Sequence, residues 1–123
     1  MEKTMLKTYL SILILIIVCC SGCENKTTVN FQIKNDTTFQ IDSLSIEPNQ
    51  NPDKVTGLKP NQNLDYQIDM SHVPKTDGSY FLSFRINDEQ HLKRFGYYIN
   101  GWPISDLYEL TIKADTILIK EIP

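Results

Sequence analysis

Two histidines, three cysteines and a scatter of carboxylates are what this 123-residue chain offers for reaction chemistry. Nucleophilic catalysis of the Ser/His/Asp kind needs a histidine oriented by a carboxylate beside an exposed serine. His72 stands in a Ser71-His72-Val73-Pro74 segment and His91 follows a turn cluster, and no Gly-x-Ser-x-Gly turn is present. Both histidines read as solvated surface residues, because turn positions face water. Asp88-Glu89-Gln90-His91 comes nearest to a metal-ligand cluster. Ordinary turn chemistry accounts for it, and no calcium-loop pattern accompanies it. Asp65 and Asp69 share the polar face of one alternating segment, with Gln67 between them. Such a pair could serve glycoside hydrolysis, but the solvent face of a sheet is the plainer explanation. No Gly-rich phosphate cradle occurs. The expectation is no catalytic residue, no metal and no cofactor.

The segment Phe95-Gly96-Tyr97-Tyr98-Ile99-Asn100-Gly101-Trp102-Pro103 concentrates four aromatics and two glycines. Flat apolar faces beside amide groups suit a sugar- or peptide-binding surface. If Phe95, Tyr97 and Ile99 turn inward, Tyr98 turns outward, and Tyr98, Asn100 and Trp102 become the candidate binding surface. A plainer alternative folds Trp102 back to cap one end of the core, with Gly96 as a bulge and Gly101 at positive φ.

The elements that must position these residues are strands. From Val29 onward apolar residues recur with a period of two. Val29, Phe31 and Ile33 alternate with polar neighbours, and Asn35-Asp36 signals a turn. Phe39, Ile41, Leu44 and Ile46 change phase at Asp42-Ser43, which predicts a bulge. Further alternating runs are Leu64–Met70, Tyr80–Ile86, Leu92–Asn100, Tyr108–Ile112 and Thr116–Ile122, separated by Asn-, Pro- and Gly-rich turns. About eight short strands at this spacing predict an all-β domain, a small antiparallel Ig-like β-sandwich, with a small β-barrel as the alternative. The predicted core is Phe31, Ile33, Ile41, Leu44, Ile46, Leu64, Tyr66, Ile68, Leu82, Phe84, Ile86, Tyr97, Ile99, Leu110, Ile112, Ile117 and Ile119.

The first 23 residues are of another kind. Lys3 and Lys7 precede an apolar run from Leu10 to Val18, and Cys20-Ser21-Gly22-Cys23 follows. The run is too short for a span of about 20 apolar residues and fits the hydrophobic region of a secretion signal. Cys20-Ser21-Gly22-Cys23 resembles a bacterial lipobox, with Cys20 where leucine is usual. The resemblance implies cleavage before Cys23 and acylation of Cys23 on its sulfur and its new amino group. The expected organisation is a signal peptide over 1–22, an acylated cysteine and short tether over 23–28, and the β-sandwich over 29–123. In the enterobacterial lipoproteins that this segment resembles an aspartate after the cysteine favours inner-membrane retention, so Glu24 implies the outer membrane, with the domain facing the periplasm or, as the alternative, the cell surface.

Residues 23–123 carry 10 basic and 14 acidic side chains, a net charge of −4. That balance argues against nucleic acid as a partner. Cys23 is their only cysteine, so an acylated Cys23 leaves neither a disulfide nor a free thiol. Asp36-Thr37-Thr38, Asp42-Ser43-Leu44 and Asp115-Thr116-Ile117 resemble the Asp-(Ser/Thr)-aliphatic motif that some Gram-negative bacteria O-glycosylate; turn chemistry produces the same pattern. The expected function is a membrane-anchored, non-catalytic binding module of the cell envelope, its partner an envelope protein or a polysaccharide. A structural role in envelope assembly comes next and a small periplasmic hydrolase last.

Overall fold

The computed structural model describes residues 2–19, 27–49 and 56–123. The lipobox and its acceptor Cys23 lie outside them. An amino-terminal helix, α1 (Glu2–Cys19), precedes nine strands: β1 (Thr28–Asp36), β2 (Ile41–Glu47), β3 (Thr56–Leu58), β4 (Asn63–Asp69), β5 (Gly78–Ile86), β6 (Glu89–Ile99), β7 (Trp102–Pro103), β8 (Leu107–Lys113) and β9 (Ile117–Ile122). No helix among the described residues is long and apolar enough to cross a membrane.

The strands form two sheets, β4-β1-β8-β9 and β3-β2-β5-β6-β7, packed as an all-β sandwich. The expected alternation is realised most cleanly in β1, where Val29, Phe31, Ile33 and Asn35 are buried between exposed neighbours. All pairs are antiparallel except β1 with β8, which run parallel, Phe31 opposite Tyr108 and Ile33 opposite Leu110. This parallel pair departs from the purely antiparallel expectation. Period-two patterning marks faces but not strand directions. The bulge expected at Asp42-Ser43 is present: the β2 register shifts there, and Ser43 has φ 52°.

Eleven of the expected core residues are buried, and Leu64, Ile86, Ile117 and Ile119 are partly buried against them. Tyr97 and Ile99 are corrections. They are 44% and 50% exposed, while Tyr98, expected to face out, packs inward on Tyr80 with ring centroids 5.5 Å apart. The cause is Gly96, at φ 62°. Tyr80 pairs with Phe95 and Gly78 with Tyr98, so two residues of β6, Gly96 and Tyr97, oppose Ser79 alone. The extra residue reverses the phase of everything after it.

Gly96 is also sterically obligatory. A Cβ there would lie 2.8 Å from the Tyr80 ring and 2.9 Å from the Tyr108 hydroxyl. The close approach lets Phe95 join an aromatic cluster in which Phe31 stacks on Tyr108 at 5.6 Å and meets Tyr80 and Phe95 edge-on at 5.2 and 5.7 Å. Such pairs add about 0.5–1.5 kcal/mol each beyond their buried area.

At the opposite end of the sandwich the Asn35 side chain, fully buried, replaces the turn expected at Asn35-Asp36. Its Nδ2 donates to the Phe39 and Leu58 carbonyls at 2.8 and 3.0 Å. Its Oδ1 accepts from the Thr37 amide and hydroxyl at 3.0 and 2.6 Å. One amide thus joins the β1–β2 connection to β3, with four bonds and no polar atom left over.

Two stability measurements check these assignments. Asn35→Ala strands the buried Leu58 carbonyl, removes the acceptor of the Thr37 amide and hydroxyl, and is expected to cost about 3 kcal/mol in denaturant unfolding. Gly96→Ala adds a Cβ at positive φ against two rings and is expected to cost about 3 kcal/mol, with near-ultraviolet dichroism altered by displaced tyrosines.

Candidate functional site

The two outer faces of the sandwich differ in chemistry. On the four-stranded sheet Asn30, Gln32, Lys34, Asp65, Gln67 and Glu109 alternate with core residues, as a solvated face should. Asp65 and Asp69 lie here; Gln67 Nε2 donates to Asn30 Oδ1 at 3.1 Å, and Asp69 accepts from the Ser71 amide at 2.9 Å. Asp69 thereby caps a 3-10 turn, Met70–His72, and its carboxyl is held below the usual carboxylate range chiefly by Ser71.

The outer face of the five-stranded sheet is apolar along its β5–β6–β7 side. Register places Phe81 opposite Arg94, Ser83 opposite Leu92 and Ile99 opposite Trp102. Directly opposed residues share a face, and Tyr97 joins them beyond the bulge. Leu92 is 68% exposed, and Phe81 and Trp102 44% each. Cations lie over two of these rings: Arg94 Cζ is 5.8 Å from the Phe81 centroid and Lys75 Nζ 5.8 Å from that of Trp102. Such contacts at exposed sites contribute about 0.5–1 kcal/mol and hold the rings in fixed orientations. The result is a row of apolar surfaces bordered by guanidinium and ammonium donors. It can stack on a sugar ring or bury apolar side chains of a protein.

The three residues read from the sequence as a binding surface take different places. Trp102 is on this outer face. Tyr98 is on the inner face, its phenol lying where a Cβ of Gly78 would be. Asn100 forms the turn between β6 and β7 at φ 51°, its amide donating to Asp77 Oδ1 at 2.9 Å. Gly101 follows at the positive φ expected, 75°. Sequence reasoning passed over Phe81, Leu92, Arg94, Tyr97 and Ile99. The signal for the last two was Gly96: a bulge there carries them outward.

His72 ends the 3-10 turn and is exposed. His91, by contrast, stacks on Phe84 at 5.1 Å and 10° on the inner side of the sheet. Its neighbours Asn87 and Asp88 have φ 50° and 64° and make the β5–β6 hairpin turn. No three His, Cys, Asp or Glu side chains converge among the described residues. Of the Asp-Ser/Thr motifs, Thr37 is buried and its hydroxyl is engaged by Asn35.

One polar group was not legible in the sequence. Glu121 of β9, itself exposed, stands opposite Tyr108, and its Oε1 accepts from the Ser105 hydroxyl and, at 3.3 Å, from the Tyr108 hydroxyl. Burial pushes the Tyr108 phenol up, outweighing the opposing bond from the Tyr97 backbone. The nearby Tyr80 hydroxyl is buried without a hydrogen-bond partner among the described residues. Burial, then the Tyr108 and Tyr98 phenols and the Glu121 carboxylate, hold its ionisation well above the ordinary value of 10.0. No family model, curated protein or solved structure matches this chain.

An acid raised on folding contributes stability that is intact below its unfolded pKa, near 10, and is lost as pH climbs through the folded value. The melting temperature is therefore expected to fall steeply above about pH 10. Tyr80→Phe should flatten that decline and, by removing a buried hydroxyl without a partner, raise stability near pH 7 by about 1 kcal/mol. A melting series of wild type and variant from pH 7 to 11 reads both effects.

Proposed function

We propose that this chain is a lipoprotein anchored through Cys23 in the cell envelope, and that its sandwich is a non-catalytic binding module. The domain faces the periplasm from the outer membrane, and its partner is an envelope protein or a polysaccharide. The observation that carries the reading is the exposed apolar group Phe81, Leu92 and Tyr97 on the outer face of the five-stranded sheet. A small domain loses stability by leaving large side chains in water, and contiguous exposed apolar surface marks interaction sites. These side chains stand on paired strands, and among them, opposite Phe81, is Arg94, whose guanidinium suits a carbonyl, carboxylate or hydroxyl acceptor. The anchor supports the same reading, since a tethered module meets envelope partners at high effective concentration.

A second reading, assembly by strand addition, draws on a different feature. β7 pairs with β6 only at Tyr98 and Ile99, and among the described residues no other strand pairs with that side of β6. An extended segment of another protein could add there.

Affinity capture from the native envelope with the full chain distinguishes the two. Phe81→Ser and Tyr97→Ser are expected to weaken capture by about 2 kcal/mol, roughly 30-fold, while Gln32→Ala on the opposite sheet leaves it unchanged. Capture indifferent to both face variants would move the contact to the strand edge.

A further inference from the structure

Strand polarity defines the two ends of the sandwich. β1 and β8 begin at one end, where β4 and β6 finish and β5 starts. Backbone bonds connect the elements there. Met70 N donates to Thr27 O at 2.7 Å, Asn30 N to Asp106 O at 2.9 Å, and Gly101 N to Thr76 O at 2.9 Å. The Asn100-Gly101 turn and the Ile104–Asp106 connection therefore lie at the end where the chain enters the domain at Thr27.

Three apolar side chains are exposed within six residues of that end: Ile99, Trp102 and Ile104, the last 51% exposed. Ile99 and Trp102 are directly paired across β6 and β7, and Lys75 stands over the indole. Four chain steps separate Cys23 from Thr27. Fully extended they reach about 14 Å, at most 3.6 Å per residue. A headgroup layer is about 6 Å deep on each side of the hydrocarbon. A domain held by acyl chains on Cys23 thus has its Thr27 end within side-chain reach of lipid.

We propose that this end of the sandwich rests on the phospholipid bilayer that holds the anchor, with Ile99 and Ile104 entering the headgroup boundary and Trp102 seated at headgroup depth. The proposal rests on the lipoprotein reading above. Tryptophan suits that depth, with an apolar ring and one N–H donor. The named charges at this end are one cation, Lys75, and three carboxylates, Asp69, Asp77 and Asp106, so attraction to anionic lipid does not hold it there. The seat is therefore held by apolar insertion and depends little on anionic lipid or salt. It also orients the domain, leaving Phe81, Leu92 and Arg94 above the membrane and open to a partner.

Trp102 is the only tryptophan, so its fluorescence reports this contact alone. The full chain is produced in a Gram-negative host, extracted in detergent and reconstituted into phosphatidylethanolamine–phosphatidylglycerol vesicles with and without brominated phosphatidylcholine. Brominated lipid is expected to remove roughly half of the Trp102 emission, as for a ring at the headgroup–acyl boundary. The Ile99→Ser/Ile104→Ser double variant should lose most of that quenching, and Leu92→Ser, higher on the same sheet, should keep it. Protein that floats with the vesicles while Trp102 ignores brominated lipid and stays fully open to aqueous iodide overturns the seat and leaves the anchor standing. Protein that does not float, with Cys23 unmodified by mass spectrometry, overturns the anchor and the seat together.

Discussion

Gly96 is the position on which the rest of this domain turns. A left-handed backbone with no side chain allows β6 to accept one extra residue against β5. Two consequences follow from that single backbone state. Inward, the missing Cβ lets the Tyr80 ring and the Tyr108 hydroxyl close over the strand, completing the cluster that joins the two sheets. Outward, the reversed phase sends Tyr97 and Ile99 to solvent and brings Tyr98 in. A regular β6 would bury the first two and expose the third, and the apolar row would be broken in its middle. Core packing and surface chemistry are set by the same residue and cannot be varied separately.

Where alternation ran unbroken, as in β1, β4, β5 and β8, the sequence marked which face turns inward and hence the two layers, although Val29, Tyr80 and Tyr108, buried on that face, were not among the expected core residues. Hydrophobic side chains obey a face rule that needs no knowledge of partners. The bulge at Ser43 was legible because the apolar positions themselves change phase there, from Ile41 to Leu44. The bulge at Gly96 was not used in assigning faces because aromatic residues stand on both sides of it, so either phase looks apolar. The parallel pairing of β1 with β8 was illegible for another reason: it is a long-range choice, and both strands carry the same pattern in either direction. Asn35 looked like a turn former because that is what asparagine does locally. Its burial depends on the Leu58 carbonyl, 23 residues away, which no local window contains.

The candidate surface shows the same limit. Phe81, Leu92 and Arg94 are unremarkable along the chain, and only the register of β5 with β6 brings the ring, the alkyl group and the guanidinium together. Trp102 drew notice by its rarity and does lie exposed. Its significance comes from β7 pairing with the last residue of β6, at the end where the chain arrives from Cys23. The two outer faces then divide the labour. One is an ordinary solvated sheet, and the other sets large apolar groups in water at a cost the core must offset.

The placement of β1 also has a mechanical side. This strand receives the chain at Thr28 and lies inside its sheet, laddered to β4 on one flank and to β8 on the other. Tension applied at its amino-terminal end runs along the strand, parallel to both ladders, so the two rows of hydrogen bonds share the load in shear. An edge strand pulled the same way would face the load with a single ladder. Under the proposed anchoring, the pull of the membrane would fall on a strand held by two ladders and not by one.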